Sequence, residues 1–117
     1  MQATRRARLE SVLLEELSTL VAREIKDPRV PPITFTAAEV TSDGSQATLY
    51  VSLLGGPSAS PSEEEYKKKI QDCLTGLGSA SGYMRRHLAR VLDVRYIPQL
   101  IFKEDRGLEN ASRVYDL

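Results

Sequence analysis

Apolar positions in residues 4–26 fall at Leu9, Val12, Leu13, Leu17, Leu20, Val21 and Ile25. They return every three or four residues, which predicts a helix with one apolar face. Arg8, Glu15, Glu16, Arg23 and Glu24 lie on the other face. Asp27-Pro28 is the expected end, because proline pushes the residue before it out of the α region. Pro31-Pro32 then holds the chain extended. The period next changes to two. Ala47, Leu49, Val51 and Leu53 alternate with Thr48, Tyr50 and Ser52, which predicts a strand over 46–54. A strand over 33–41 precedes it. There Ile33 and Phe35 share one parity and Ala38 and Val40 the other, so a bulge is expected between the pairs. Ser42-Asp43-Gly44-Ser45 is a turn signal, so the two strands form a hairpin.

Residues 55–61 (Gly-Gly-Pro-Ser-Ala-Ser-Pro) read as a surface loop. Ser62 with Glu65 fits a helix capping box, and Glu63, Glu64 and Glu65 suit the positive end of a helix. Tyr66, Ile70, Cys73, Leu74 and Leu77 continue the helical stripe, which is expected to weaken at Gly76 and Gly78. Gly78-Ser79-Ala80-Ser81-Gly82 is small-residue throughout, and the helical pattern resumes at Met84, Leu88, Val91 and Leu92. Two helices meeting at a tight break are expected, and if Gly82 holds a backbone conformation that only glycine tolerates, Gly82→Val would distort the kink and cost stability. Val94, Tyr96, Leu100 and Phe102 share a parity, predicting a third strand over 94–103 with Pro98 at an edge or bulge. The fold class is therefore α+β, in the order α-β-β-α-kink-α-β. A single domain is expected, with a core over about residues 4–105 and a polar tail over 106–117.

Composition narrows what such a fold does. In 117 residues, 16 basic and 16 acidic side chains cancel, which argues against coating nucleic acid by bulk charge but leaves a local basic surface open. No apolar run approaches the roughly 18 residues of a membrane span, and the charged start has no secretory apolar region. Cys73 and His87 are the only cysteine and histidine. Cys73 sits on an apolar stripe and reads as core, and His87 reads as a solvated position beside Arg86. No nucleophile–base arrangement, phosphate loop or dinucleotide fingerprint is present. Lys67-Lys68-Lys69 reads as a solvated helix face.

The break holds the more informative chemistry. A helix starting near Gly82 presents free N–H groups at its first turn. Arg85, Arg86 and Arg90 follow with no acid between residues 83 and 92. An anion site plus a row of guanidiniums suits phosphates. A kinked helix with a solvated basic face accounts for the same residues. Arg5, Arg6 and Arg8 at one end of the first helix, and Lys26 and Arg29 at the other, either extend the basic surface or are ordinary charges at exposed helix ends, and the residues alone favour the second reading. With no Trp, two Phe and five Tyr, recognition of backbone and shape is favoured over base stacking.

The element order resembles a bacterial-type (type II) KH domain, which implies a three-stranded sheet with the helices on one face. No GXXG loop occurs. An Ala80-Ser81-Gly82 kink stands in its place, and that substitution resembles the ribosome-binding factor A family. Arg23-Glu24-Ile25-Lys26-Asp27-Pro28-Arg29, Ala47-Thr48-Leu49-Tyr50-Val51-Ser52, Ser81-Gly82-Tyr83-Met84-Arg85-Arg86, Pro98-Gln99-Leu100-Ile101-Phe102 and Asp105 agree with family segments in order. The resemblance covers about residues 5–110. It implies a cytoplasmic factor (or one in a bacterial-type organelle) that binds the free 30S subunit. It further implies assistance in late maturation of 16S ribosomal RNA, including its 5′ end. It implies no catalysis, cofactor, metal, membrane or small-molecule partner, and a monomer. The implied RNA-facing residues are Arg5, Arg8, Lys26, Arg29, Ser79, Ala80, Ser81, Gly82, Arg85, Arg86 and Arg90. The neutral charge, Val30-Pro31-Pro32 and the 55–61 loop depart from the family pattern. A protein-interaction module on the same scaffold is the alternative, and an enzyme using Cys73 or His87 a further one.

Overall fold

The computed structural model describes residues 1–105. The polar tail expected at 106–117 lies outside them. Helix α1 spans Ala3–Glu24 and buries Leu9, Leu13, Leu17, Leu20 and Val21. Val12, expected on that stripe, lies at its edge and is exposed. The helix ends before the expected residue 26, because Ile25 is already extended at φ −88°, ψ 107°. Residues past it turn back: Val30 N–H donates to the Asp27 carbonyl at 2.9 Å.

Strand β1 (Ile33–Val40) pairs antiparallel with β2 (Gln46–Leu53). The expected bulge is present, with Thr36 as the extra residue between Phe35 and Ala37. It rescues the broken alternation. Ile33 and Phe35 face Leu53 and Val51, while Ala38 and Val40 face Leu49 and Ala47. All of them thereby reach the face shared by the inward residues of β2. In the turn, the Asp43 carboxylate accepts from the Ser45 N–H and from the Thr41 and Ser45 hydroxyls. These donors hold its pKa down at about 2. Gly44 supplies the φ of 76° that the turn requires.

The loop contains a short 3-10 turn at Pro57–Ala59. Helix α2 spans Glu63–Ser79, with Ser62 Oγ accepting from the Glu65 N–H at 3.1 Å, as the capping pattern predicts. It runs through Gly76 and Gly78 without weakening. Helix α3 covers Ser81–Val91, so the expected five-residue break is one residue, Ala80, which ends one helix and starts the next.

Strand β3 is Gln99–Glu104 and pairs parallel with β2, giving the sheet order β1-β2-β3. The strand expected from residue 94 begins five residues later. Val94 and Tyr96 are exposed, and Pro98 is buried ahead of the strand instead of lying within it. The carbonyls of Ile97 and Pro98 accept from Arg85, and ladder pairing begins where Gln99 N–H meets the Ser45 carbonyl.

Helices α1 and α2 pack on the sheet. Leu13, Leu17, Leu49, Val51, Ile70, Leu77, Met84 and Leu88 form one buried cluster with the remaining core residues. Phe35 and Phe102 stack above β2, with ring centroids 6.2 Å apart. Cys73 belongs to this core, and burial pushes its thiol up to about 11. A thiol held protonated at neutral pH is a poor nucleophile, in agreement with its packing role.

Candidate nucleic-acid interface

Ahead of the kink, α2 packs against the 25–32 segment. Gly76 faces that segment directly. A Cβ placed there would sit 2.7 Å from Val30 Cγ2 and 3.3 Å from Arg29 Cβ. The glycine therefore lets Val30 and Arg29 lie against α2. Arg29 uses the opportunity twice. Its Nη2 donates to Asp27 Oδ2 at 2.7 Å and makes a long contact of 3.4 Å to Ser79 Oγ. Asp27 also accepts from the Arg29 backbone N–H and Nε, and these bonds hold its carboxyl at about 2, below the usual range. Arg29 is thus brought from the end of α1 to the last turn of α2.

Ala80 forms the joint. Its N–H points back to the Gly76 and Leu77 carbonyls, and its own carbonyl accepts from Met84 N–H at 3.0 Å. The end of α2 abuts the start of α3, so the negative end of one helix partly offsets the positive end of the other. Guanidiniums consequently matter more at this kink than an isolated helix start would suggest. Gly82 corrects an expectation. It is helical, its φ is not positive, and a Cβ there would meet only Arg86 Nη1, at 3.6 Å. Its value is an uncovered stretch of backbone at the surface, not a conformation reserved for glycine.

Helix α3 is held to α1 by two polar contacts. The Tyr83 hydroxyl donates to Glu24 Oε1 at 2.5 Å, and that carboxylate pushes the phenol above its ordinary pKa. His87 Nε2 lies 3.1 Å from Glu16 Oε2. The histidine expected to be solvated is half-buried and pairs two helices. Neither Tyr83 nor the pairing of His87 was legible from residue spacing, because both partners lie about sixty or more positions away.

The three arginines of α3 separate. Arg85 turns towards the sheet, donating from Nε to the Pro98 carbonyl at 3.2 Å and from Nη2 to the Ile97 carbonyl at 3.0 Å. Arg86 and Arg90 stand on the exposed row that begins at Gly82, four residues apart at each step. Arg86 lies over the Tyr83 ring, 6.0 Å from its centroid. Among the described residues neither Arg86 nor Arg90 makes an ion pair. Arg29, Ser79, Ala80, Ser81, Gly82, Arg86 and Arg90 are therefore brought to one end of the molecule. Lys26, two residues past the end of α1, is exposed. Arg5 and Arg8 are exposed near the opposite end of α1, roughly 28 and 24 Å from its last residue, Glu24, at 1.5 Å per residue.

The division yields a stability test. Arg85→Ala leaves two backbone carbonyls without their donor and is expected to lower stability by about 1 kcal/mol. Arg86→Ala is expected to change it by less than about 0.5 kcal/mol, as for other exposed positions. Urea unfolding followed by circular dichroism measures both. Equal midpoints would show that the Arg85 bonds do not brace the 92–98 segment.

The ribosome-binding factor A family model matches residues 5–117. Ribosome-binding factor A of Lactobacillus acidophilus is 38% identical over 107 residues, covering 92% of this chain and 81% of that protein. The crystal structure of ribosome-binding factor A from Thermus thermophilus superposes with a TM-score of 0.66 at 27% identity, covering 87% of this chain and 98% of that one. Coordinates of the Thermus thermophilus factor fitted into an electron-microscopy map of its complex with the 30S subunit give a TM-score of 0.57 at 29% identity. Those coordinates match 91% of this chain and 97% of theirs.

Proposed function

The chain belongs to the ribosome-binding factor A family, and from that membership we infer that it binds the free 30S subunit and assists late maturation of 16S ribosomal RNA, including its 5′ end. The observation that carries the reading to particular residues is the pair Arg86 and Arg90 at the kink, neither of which makes an ion pair among the described residues. Arg86 and Arg90 project from α3 beside the uncovered Gly82 backbone, and Arg29 stands at Ser79 on the adjoining turn. Guanidiniums at a place where backbone lies bare suit phosphate oxygens approaching closely. A neutral chain can bind RNA through such a surface because the placement of charge, and not its sum, sets the local field: Asp27 is paired with Arg29, while Arg86 and Arg90 have no ion-pair partner among the described residues.

The chain acts by binding alone, as a cytoplasmic monomer without a cofactor, and other enzymes cut the RNA. Cys73, protonated and buried, supports a non-catalytic reading. Gradient sedimentation of the full chain with purified free 30S subunits and with whole ribosomes tests it. Co-migration with free subunits, weakening steeply as salt rises, is expected. Equal or stronger association with whole ribosomes, or none with free subunits, overturns the reading.

A further inference from the structure

The kink surface leaves Tyr96 unexplained. The residue is 74% exposed, the largest value among the exposed hydrophobic residues described. The other described tyrosines are committed: Tyr50 and Tyr66 are buried, and Tyr83 donates to Glu24. Tyr96 instead carries the Arg95 guanidinium 5.7 Å from its ring centroid. The segment bearing both is not loose at its C-terminal side. Arg85 holds the Ile97 and Pro98 carbonyls, and Pro98 is buried. A braced segment presents its side chains with less ordering cost on binding.

The surrounding charge indicates what such a ring meets. From residue 85 to residue 98 there are four arginines and one acid, Asp93. A flat π-face beside a guanidinium suits a planar group attached to an anion. A nucleobase and its phosphate have that chemistry, since every base has a π-face and every nucleotide a negative charge. A protein partner would also be drawn to Tyr96, Val91 and Val94, but it would not require the cation at the ring.

We propose that Tyr96 and Arg95 form a stacking platform for one unpaired base of ribosomal RNA, with the Arg95 guanidinium beside that nucleotide's phosphate. The proposal rests on the RNA-binding reading above and extends the contact surface beyond the kink. It gives the protein a base contact that the kink arginines, directed at phosphates, do not supply. Stacking is tolerant of base identity, so the platform selects an unstacked nucleotide and not a sequence.

The chain contains no tryptophan, so Tyr96→Trp introduces its sole indole as a reporter. The full-length Y96W variant is expected to bind free 30S subunits like the parent. Its emission is expected to be quenched by a short single-stranded RNA but not by the same backbone without bases. The Y96A variant is expected to bind subunits roughly ten-fold more weakly, with the parent's melting temperature and salt dependence. If the parent binds subunits and Y96A binds equally well, the platform is wrong and the kink reading stands. If the parent fails to bind, the RNA-binding reading falls and takes the platform with it. Equal quenching with and without bases overturns base stacking. Weaker binding by Y96A without any quenching by RNA overturns it too, and assigns the ring to a ribosomal protein.

Discussion

Gly76→Val is expected to destabilise the protein by about 3 kcal/mol, the upper part of the range for overpacking a filled site. For a domain of this size that corresponds to a fall in melting temperature of roughly 10–20 °C. The cause is direct. The first added carbon would lie 2.7 Å from Val30 Cγ2 and 3.4 Å from Asp27 Oδ2, with Arg29 Cβ at 3.3 Å between them. Val30 sits on a segment fixed by the Asp27–Arg29 bonds and by Pro31-Pro32, so it cannot yield as the end of a long side chain would. The 25–32 segment would have to lift from α2, taking Arg29 away from Ser79. Gly82→Ala makes the contrast. The space there is open and the residue lies in a helix, so the change is expected to be neutral, or to stabilise by up to about 1 kcal/mol. Thermal unfolding of the two variants separates the cases. A melting temperature for Gly76→Val within about 3 °C of the parent would mean that the segment is not packed as described.

That contrast shows where sequence reading reached and where it stopped. The α+β order, the hairpin and the bulge in β1 were legible, because periodicity is a local property and a change of parity at Thr36 is visible in the chain itself. The helix start at Ser62 was legible for the same reason. Gly76 lies between Leu74-Thr75 and Leu77, whereas Gly82 closes the small-residue run, so sequence alone draws attention to the wrong glycine. Only the long-range contact with Val30 makes one of them indispensable, and it falls outside the break that composition singles out. The start of β3 failed for a related reason. The apolar parity of Val94 and Tyr96 imitates a strand, but Arg85 reaches across to the carbonyls before Gln99, a contact no local pattern encodes. Within the candidate site, residue type identified the arginines. The side chains' directions, which divide Arg85 from Arg86 and Arg90, depended on packing.

Arg86→Gln with Arg90→Gln is expected to weaken binding to free 30S subunits by about 30-fold, from two phosphate contacts of about 1 kcal/mol each. The two side chains have no ion-pair partner among the described residues to compensate, and no buried group depends on them. The folded state should therefore be unaffected, and weaker binding would report the interface alone. Electrostatic pairing with phosphate carries a second signature. The slope of log K against log salt should fall in magnitude by about 0.9 for each phosphate that is no longer neutralised, hence by about 1.8 in the double variant. Arg85→Gln should leave that slope near the parent's value, because its guanidinium is spent on Ile97 and Pro98. Arg5→Gln with Arg8→Gln probes the other end of α1. A slope that drops there as far as it does for Arg86 and Arg90 would extend the RNA contact along the whole helix. If the Arg86 and Arg90 double variant binds with the parent's affinity and slope, the kink face does not meet RNA. Charge alone then fails to locate the interface, and the site must lie on another face of the fold.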